Sequence, residues 1–353
     1  MDSLVSVIIP AYNCSKFINF AIDSVLEQSY KNYELIVVDD GSTDNTADIV
    51  SKYNDKLKYI LQDNGGVSKA RNTGINNSNG SYIALLDADD VWEKDKLEIQ
   101  MNLFERFGNI DLIFSSFMHT KYGKIIPGRT FQETFNIFIE YKLNMESIFE
   151  NNSTYILNDK EINFYWGNIY KYLFLGNFIL PSSTLFKRNS LSKTGLFNER
   201  YRVAEETEFF LRFSKLNTIG FIDCPLLHYE MPESENLSGK NNMEKLIKNA
   251  LQIQIDSLMA NYDEYIKSAR FMEKGISTTY CRLAYYYLSE HRRDDARRYA
   301  VHAMRMYNRN FMPYMIMLSS LFPNQYLEYL AKIKKLLKEK LKIIQIQFAN
   351  KEL

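Results

Sequence analysis

The sequence predicts an α/β protein with a doubly wound, mostly parallel sheet, followed by an all-helical C-terminal region. In the first third of the chain, short apolar runs alternate with amphipathic segments. Residues 4–9 are apolar and β-branched and end at Pro10, which is typical of a buried strand. Apolar pairs recur every four residues from Phe17 and predict a helix over 15–28, capped by Ser15. Strict alternation of strand and helix favours right-handed crossovers and a parallel sheet covered on both faces.

The later elements continue this alternation. Strands are predicted at 34–38, 57–61, 82–86 and 111–114, and helices at 44–52, 67–76 and 94–107. From 119 to 179, aromatic residues and asparagines mix with short helical pieces, which favours an irregular region on the same domain. Strands at 184–186 and 220–222 then flank a helix at 206–215.

The polar stretch 232–242 is predicted to be a hinge between two domains. We expect a first domain at 1–235, composed of halves at 1–118 and 119–235, and a helical region at 236–353. The spacing of Ala284, Ala296, Ala300 and Ala303 in that region resembles a pair of antiparallel helices. One such pair cannot bury a core alone, so we expect a packed appendage.

The last predicted helix, 326–348, has two interpretations. Its six lysines crowd around an apolar stripe formed by Leu336, Leu337, Leu341, Ile344 and Phe348. Such a helix can lie on an anionic membrane surface. It can equally pack its stripe on the appendage or on a second subunit, which would make the protein a homo-oligomer.

Composition argues against several classes of protein. The formal net charge is zero, so we expect no dedicated nucleic-acid binding. The three cysteines are far apart and outside any C-x-x-C pair, which indicates reduced thiols in a cytoplasmic protein rather than disulfides or a zinc site. No apolar run has the length of a signal peptide or of a membrane span.

Polar side chains follow three predicted strands, at the sheet edge where open α/β folds bind ligands. The runs are PAYN (10–13), DDGSTD (39–44) and DADD (87–90). Neighbouring acidic clusters repel unless a cation lies between them, and oxygen ligands favour Mg²⁺ or Mn²⁺ with substrate phosphates completing the shell. Asp44 can instead begin the next helix, and Asp40-Gly41 can be ordinary turn residues. G-x-G-x-x-G and P-loop motifs are absent, which argues against dinucleotide and P-loop binding.

Four linked motifs carry a resemblance to a known family. They are VSVIIPAYN (5–13), VVDDGSTD (37–44), NGGVSKARNTGI (64–75) and YIALLDADD (82–90). Their order, spacing and strand context resemble family 2 glycosyltransferases with the GT-A fold. FILPSST (178–184), GLFNE (195–199) and EETEFFLR (205–212) resemble the acceptor half of that family. The resemblance extends to about residue 238 and implies transfer of a sugar from a nucleotide diphosphate donor.

The resemblance implies a nucleotide-sugar site at the first two strand ends. Pro10 and Tyr12 would line the nucleobase pocket. Asp40 would accept the imide N–H of uracil, with Asp39 beside it near the ribose. Asn64 and Gly65, in the loop before the third helix, are assigned to the same site.

For the third strand end, the resemblance implies the ribose and diphosphate contacts. Asp87 would lie at the ribose with Ala88 next to it, and Asp89 would ligate the Mn²⁺ or Mg²⁺ ion that bridges the diphosphate. Asp90 would support the site or cap the following helix. Arg71 would reach the base or brace the carboxylates, or it would form a structural ion pair.

The resemblance also places a general base. In the family this is usually the Asp of a Glu-Asp pair that opens a helix. Here the pair is Glu205-Glu206, so Glu206 holds the base position with one extra methylene and Glu205 precedes it. Direct attack by the acceptor would invert the anomeric centre. The alternative interpretation is that two glutamates simply favour a helix N-terminus.

One departure from the family affects the metal. A histidine that often adds a metal ligand is replaced by Pro232, and proline cannot ligate. His228 lies four residues earlier and is either a substitute ligand or a structural residue.

Together these features predict an inverting glycosyltransferase that uses a UDP-sugar and a glycan or lipid-linked oligosaccharide acceptor. By analogy with the family, it would serve bacterial surface polysaccharide synthesis, in the cytoplasm or on the inner membrane face. Two alternatives remain: a non-catalytic protein that binds nucleotide sugars or glycans, and a sugar-phosphate nucleotidyltransferase. The second would need a basic, glycine-rich loop near the N-terminus, which PAYN is not.

Overall fold

A computed structural model describes residues 3–127, 131–157, 160–231, 242–260 and 262–321. The chain divides into two compact units, Met1–Ser268 and Ala269–Leu353. The helix at 243–259 therefore belongs to the first unit. The domain limits drawn from the sequence at residue 235 stay a prediction.

A single mixed sheet organises the first unit. Among the described residues it has eleven strands. They are β1 (Val5–Ala11), β2 (Tyr33–Asp39), β3 (Lys58–Leu61), β4 (Tyr82–Leu85), β5 (Val91–Trp92), β6 (Leu112–Lys121), β7 (Lys124–Ile125), β8 (Asn151–Leu157), β9 (Lys160–Gly167), β10 (Leu185–Lys187) and β11 (Ile219–Glu230).

The helices of this unit connect the strands. They are α1 (Ile18–Leu26), α2 (Thr46–Ser51), α3 (Val67–Asn76), α4 (Lys96–Arg106), α5 (Phe131–Thr134), α6 (Asn136–Tyr141), α7 (Met145–Ile148), α8 (Tyr170–Leu173), α9 (Leu191–Thr194), α10 (Glu205–Leu216) and α11 (Met243–Met259). The first helix starts at residue 18, and Phe17 occupies its N-cap without a side-chain hydrogen bond. The prediction of Ser15 as the cap was therefore wrong.

The sheet order is β3-β2-β1-β4-β10-β6-β11-β9-β8. The four strands from β3 to β4 are parallel, and β10 runs antiparallel between β4 and β6. The parallel pair β6 and β11 follows, and the β8–β9 hairpin closes the edge. The predicted doubly wound α/β class is confirmed, with a purely parallel first half and a mixed second half.

The parallel register brings three strand ends to one edge of the sheet. Ala11 of β1 is paired with Asp39 of β2, and on the other side Ile8 is paired with Leu85 of β4. The polar runs that follow these strands are thus neighbours, as expected for a doubly wound sheet.

Close packing holds α3 against this edge. A Cβ atom at Gly74 would lie 2.4 Å from the Cγ2 atom of Ile8, so the helix backbone sits directly on β1. Arg71 lies one turn earlier on α3 and is brought to the strand ends by this contact.

The second half has a core of aromatic rings. Phe114 on β6 and Phe221 on β11 lie 4.9 Å apart, and Phe131 contacts both rings. Aromatic pairs of this kind add about 0.5–1.5 kcal/mol each beyond their buried area. The region from 119 to 179, expected to be irregular, therefore contains a β-hairpin and short helices that cover this core.

The second unit is helical where it is described. The helix α12 (Tyr262–Ser289) has non-helical angles at Ser268 and is followed by α13 (Arg293–Met306) and α14 (Met312–Ser319). Ser277 donates to the carbonyl of Ala303, and the ring of Tyr287 stacks 5.3 Å from that of Tyr299. These pairings run in opposite directions along α12 and α13, as expected for the predicted antiparallel pair. No helix in the described ranges is both long and apolar enough to cross a membrane.

Candidate active site

Hydrogen bonds from backbone N–H groups to side-chain oxygens join the loops after β1 and β2. Asn13 adopts a left-handed conformation with φ of 48° and donates its N–H to the Oγ atom of Ser42. The N–H of Thr43 donates in return to Oδ1 of Asn13. Asp44 accepts from the N–H groups of Ser15 and Thr46, so its role here is structural.

Asp39 is fully buried beneath these loops. Its Oδ1 atom accepts from the N–H of Ser42 at 2.8 Å, and its Oδ2 atom accepts from the Tyr59 hydroxyl at 2.7 Å. Both carboxylate oxygens thus already have protein partners that fix the loop. Above it, Pro10 is buried and Tyr12 is 53% exposed.

The Asp40 carboxylate holds the loop at 62–66. Its Oδ1 atom accepts from Gln62 at 2.6 Å and from the N–H of Gly65 at 2.8 Å. Its Oδ2 atom accepts from the N–H of Gly66 at 2.7 Å, and Asn64 donates to its carbonyl. The structure therefore brings Asn64 and Gly65 to Asp40. Oδ2 keeps one lone pair for a further donor, which is the capacity an imide N–H would need.

Arg71 joins the two acidic parts of the site. Its Nη2 atom lies 2.7 Å from Asp87, and its Nη1 atom lies 3.0 Å from Glu205. Its guanidinium also lies over the Phe197 ring. Burial alone would lower the pKa of Arg71, but the charges of Asp87 and Glu205 outweigh it and raise the pKa. Because the Arg71–Glu205 pair is buried, removing Arg71 would leave the Glu205 carboxylate without a compensating charge, at a cost of about 3–5 kcal/mol.

Two carboxylates of the acidic run after β4, those of Asp89 and Asp90, have pKa values raised above the usual value. Burial, and then the charge of Asp87, raises the pKa of Asp89 to about 6. Asp90 is buried, and this burial, followed by the charges of Asp89 and Asp87, raises its pKa well above the usual value. Ala88, which lies between Asp87 and Asp89 in the chain, is also buried. A divalent cation would relieve this repulsion, so the carboxylates present fit the predicted ion.

Glu205 and Glu206 begin α10, directly after a strained residue. Ala204 adopts left-handed angles with φ of 65°, which is uncommon for a residue with a Cβ atom. Glu205 is buried against Arg71, whereas Glu206 is half-buried. Burial, and then the negative charge of Glu205, raises the pKa of Glu206 to about 8, and Arg71 offsets this in part.

His228 has a partner away from the acidic run. Its Nε2 atom lies 2.7 Å from the Oε1 atom of Glu93. This contact supports the structural interpretation of His228. Pro232 lies outside the described residues. Within the described ranges, no three acidic, histidine or cysteine side chains are grouped as a metal site.

Three residues near the acidic run were not identified from the sequence. Ser182 accepts from the N–H of Asp87 at 3.0 Å. The N–H of Glu230 donates to Oδ1 of Asp90, and the charge of Glu230 contributes to the raised pKa of Asp89. Tyr229 lies where burial and the charges of the acidic run raise its pKa. Ser182 lies in the FILPSST motif, but no sequence pattern assigned these three residues a place beside the acidic run.

The fold and this edge define a GT-A type α/β protein, and comparison with known proteins supplies the family. Residues 6–164 match the family model described as Glycosyl transferase family 2. Residues 6–164 therefore form a glycosyltransferase family 2 domain, as the motifs predicted.

Two curated relatives and one solved structure illustrate the likeness. An uncharacterized glycosyltransferase of Rickettsia felis is 33% identical over 227 residues, which is 64% of this chain and 32% of that protein. The UDP-Glc:alpha-D-GlcNAc-diphosphoundecaprenol beta-1,3-glucosyltransferase WfgD of Escherichia coli is 40% identical over 118 residues, 33% of this chain and 46% of that protein. The chain thus spans less than half the length of these two relatives.

The solved structure shares the fold. It is the mannosyltransferase PcManGT from Pyrobaculum calidifontis in complex with GDP-Man and Mn²⁺. The match covers 90% of this chain and 85% of that one, with a TM-score of 0.52 and 15% sequence identity.

Proposed function

We propose that the protein is an inverting glycosyltransferase that moves a sugar from a UDP-sugar to an acceptor hydroxyl. Glu206 is the general base, and Asp89 holds a Mn²⁺ or Mg²⁺ ion together with the donor. The observation that carries this proposal is the arrangement around Arg71. It ties the donor-side Asp87 to Glu205, whose neighbour Glu206 has a pKa raised to about 8.

The uracil preference rests on Asp40. Its Oδ2 atom accepts one hydrogen bond, from the N–H of Gly66, and the Asp40 N–H donates to the carbonyl of Ala11, which precedes the exposed Tyr12 in the chain. A carboxylate accepts from the imide N–H of uracil but repels the N3 lone pair of cytosine. WfgD, whose name specifies UDP-Glc, is 40% identical to this chain over 118 residues and supports the same donor class.

The ion would be held by Asp89, with the donor diphosphate completing its shell. When bound, it supplies positive charge to the diphosphate as negative charge builds there. The Mn²⁺ in the mannosyltransferase structure supports this assignment by fold. Asp87 is held in place by Arg71 and by the Ser182 hydroxyl, so it can bind the ribose without moving.

Glu206 would take the proton from the acceptor hydroxyl as its oxygen attacks the anomeric carbon. A base with a pKa near the working pH combines a useful deprotonated fraction with a strong drive to accept the proton. Glu205 cannot share this task because its carboxylate is bound to Arg71. Attack opposite the leaving diphosphate gives inversion.

The acceptor class follows from the relatives rather than from the site. The name of WfgD specifies a diphosphoundecaprenol-linked acceptor. We therefore propose a glycan or lipid-linked oligosaccharide acceptor in bacterial surface polysaccharide synthesis, reached from the cytoplasmic side. The predicted helix at 326–348 lies outside the described residues, so its contact with a membrane or a second subunit stays a prediction.

Ligand-dependent unfolding tests the donor class. The protein is melted with UDP, CDP or GDP, each with Mn²⁺ and with EDTA. We expect UDP with Mn²⁺ to raise the melting temperature most, since a ligand at 100 times its Kd contributes about 2.7 kcal/mol. Equal shifts with the three nucleotides would contradict the uracil assignment. Stabilisation by UDP-sugars without any release of UDP, even with acceptor extracts, would favour the non-catalytic alternative.

A further inference from the structure

The zero net charge of the chain hides a separation of charge between its two units. Residues 1–268 contain 27 Lys and Arg against 36 Asp and Glu, whereas residues 269–353 contain 16 against 7. In the stretch 269–321, which the structure describes, the numbers are 9 and 4. The C-terminal unit is thus strongly cationic, and such surfaces attract anionic ligands.

Part of this charge lines a cleft within the C-terminal unit. The cleft has a volume of about 550 Å³ and lies where α12 and the end of α13 meet the loop after α13. Its lining includes three arginines, Arg270, Arg305 and Arg309. Glu273 also lines it, so three guanidinium groups accompany one carboxylate.

These three arginines differ from Arg292 and Arg298, which lie at and near the start of α13. Arg298 of α13 lies 2.7 Å from Asp295, and Arg292 contacts the same carboxylate. Among the described residues, no ion pair involves Arg270, Arg305 or Arg309, and all three side chains are exposed. Their charges repel one another across the cleft, and an anion between them would remove that repulsion.

The loop that carries Arg309 is held in place. Asn310 donates to the Oγ atom of Ser277 at 3.3 Å and lies 3.4 Å from the Sγ atom of Cys281. Ser277 is itself anchored to the carbonyl of Ala303. The backbone around the cleft is therefore organised before any ligand arrives, which reduces the entropic cost of binding.

We infer that this cleft binds a phosphate-bearing ligand through Arg270, Arg305 and Arg309. Planar guanidinium groups match phosphate oxygens in bidentate pairs. Tyr307 and Asn308 on the same rim add hydrogen-bonding groups. The inference does not depend on the proposed sugar transfer. A soluble phosphate compound and a phospholipid headgroup offer the same chemistry, and the test separates them.

The test measures binding of two probes to the full chain in EDTA. The first is inorganic pyrophosphate, followed by calorimetry. The second is phosphatidylcholine vesicles with and without phosphatidic acid, followed by co-sedimentation. The variants are Arg305→Gln with Arg309→Gln, and separately Arg270→Gln. The control is Arg298→Gln, which removes the same charge from α13 away from the cleft lining.

We expect the double variant to weaken binding of at least one probe by about tenfold or more, and Arg298→Gln to change it less than twofold. Loss of pyrophosphate binding identifies a soluble phosphate ligand, and loss of vesicle binding alone identifies a headgroup. The inference is overturned if neither probe binds, or if cleft and control variants lose affinity equally. It is also overturned if pyrophosphate binds all variants alike, as it would at the donor site, and vesicle binding is likewise the same for all variants. If the double variant has a lowered melting temperature, the comparison of Arg270→Gln with Arg298→Gln decides instead.

Discussion

Two adjacent glutamates at the start of α10 differ because only one of them reaches Arg71. Glu205 has the ion pair, and Glu206 has the raised pKa. The sequence placed both residues at the site through one motif. It could not divide their roles, because the partner of Glu205 lies 134 residues earlier in the chain.

The pH dependence of turnover follows from this division. A base must be deprotonated, so kcat/KM should rise with pH and level off above an apparent pKa near 8 for the glutamate pair. Glu205→Gln removes the neighbouring negative charge. The rising limb of the plot of kcat/KM against pH should therefore move to lower pH. Rate profiles from pH 6 to 9.5 measure it.

The matched control is Glu208→Gln on the same helix, because Glu208 is bound to Arg212 instead. It should leave the position of the limb unchanged. If Glu205→Gln leaves the limb in place as well, the charge of Glu205 does not set the proton affinity of the base.

The donor residues were predicted as a set, but their contacts were not. The motifs placed Asp40, Asn64 and Gly65 together, and the structure joins them by hydrogen bonds. Asp39 was expected near the ribose, yet its carboxylate is occupied by Ser42 and Tyr59. Such partners depend on tertiary packing, which a local motif does not encode.

Among the elements, α3 is held in close contact with the sheet. Its close approach at Gly74 leaves no room for a side chain over Ile8 of β1, and Arg71 depends on the position of this helix. The sequence predicted α3 closely, at 67–76, because its apolar pattern is local. The three-residue strand β10 was also predicted, at 184–186, but its antiparallel place between β4 and β6 was not, because strand pairing depends on residues far apart in the chain.

Gly74→Ala tests this contact. A methyl group there would overpack the helix against β1, at a cost of about 1–3 kcal/mol that helix propensity offsets by about 1 kcal/mol. Because the approach of 2.4 Å to Ile8 places the overpacking cost in the upper part of this range, we expect the free energy of unfolding to fall by about 1–2 kcal/mol in urea titrations, with weaker UDP binding. Gly108→Ala is the control, since nothing lies within 4 Å of its Cβ position, and it should stay within about 0.5 kcal/mol. Equal effects of the two substitutions would show that α3 has freedom to move.

At the scale of the whole molecule, the active site is built at some expense to stability. Asp89 and Glu206 have pKa values raised to about 6 and about 8, and Asp90 is raised well above the usual value. Charge segregation between the units was equally readable from the sequence, but the zero total concealed it. The division of the chain into two units at residue 268 shows that the excess of positive charge belongs to the second unit.

These raised pKa values predict how stability depends on pH. The folded state binds these protons more tightly than the unfolded state, so their stabilising effect is complete below about pH 4 and is lost as pH rises through 6 to 8. The lowered pKa of Asp44, about 2, acts in the opposite direction but only below about pH 4.

We therefore expect the first unit to lose on the order of 2 kcal/mol between pH 5.5 and 8.5, after allowance for solvent screening. Thermal melts across this range measure the loss. Mn²⁺ with UDP should reduce it. A melting temperature that stays constant or rises over the range would contradict the proton affinities assigned to the site carboxylates.

We propose that Glu206 performs base catalysis at a UDP-sugar site, and the rate of UDP release measures this role. Wild type and Glu206→Gln are compared with a UDP-sugar, Mn²⁺ and an acceptor extract, and UDP affinity is measured for both. Glutamine keeps the shape and removes the basicity, so turnover should fall by about two to four decades while UDP affinity stays within about twofold. Turnover of Glu206→Gln within about threefold of wild type, at equal UDP affinity, would show that Glu206 is not the general base.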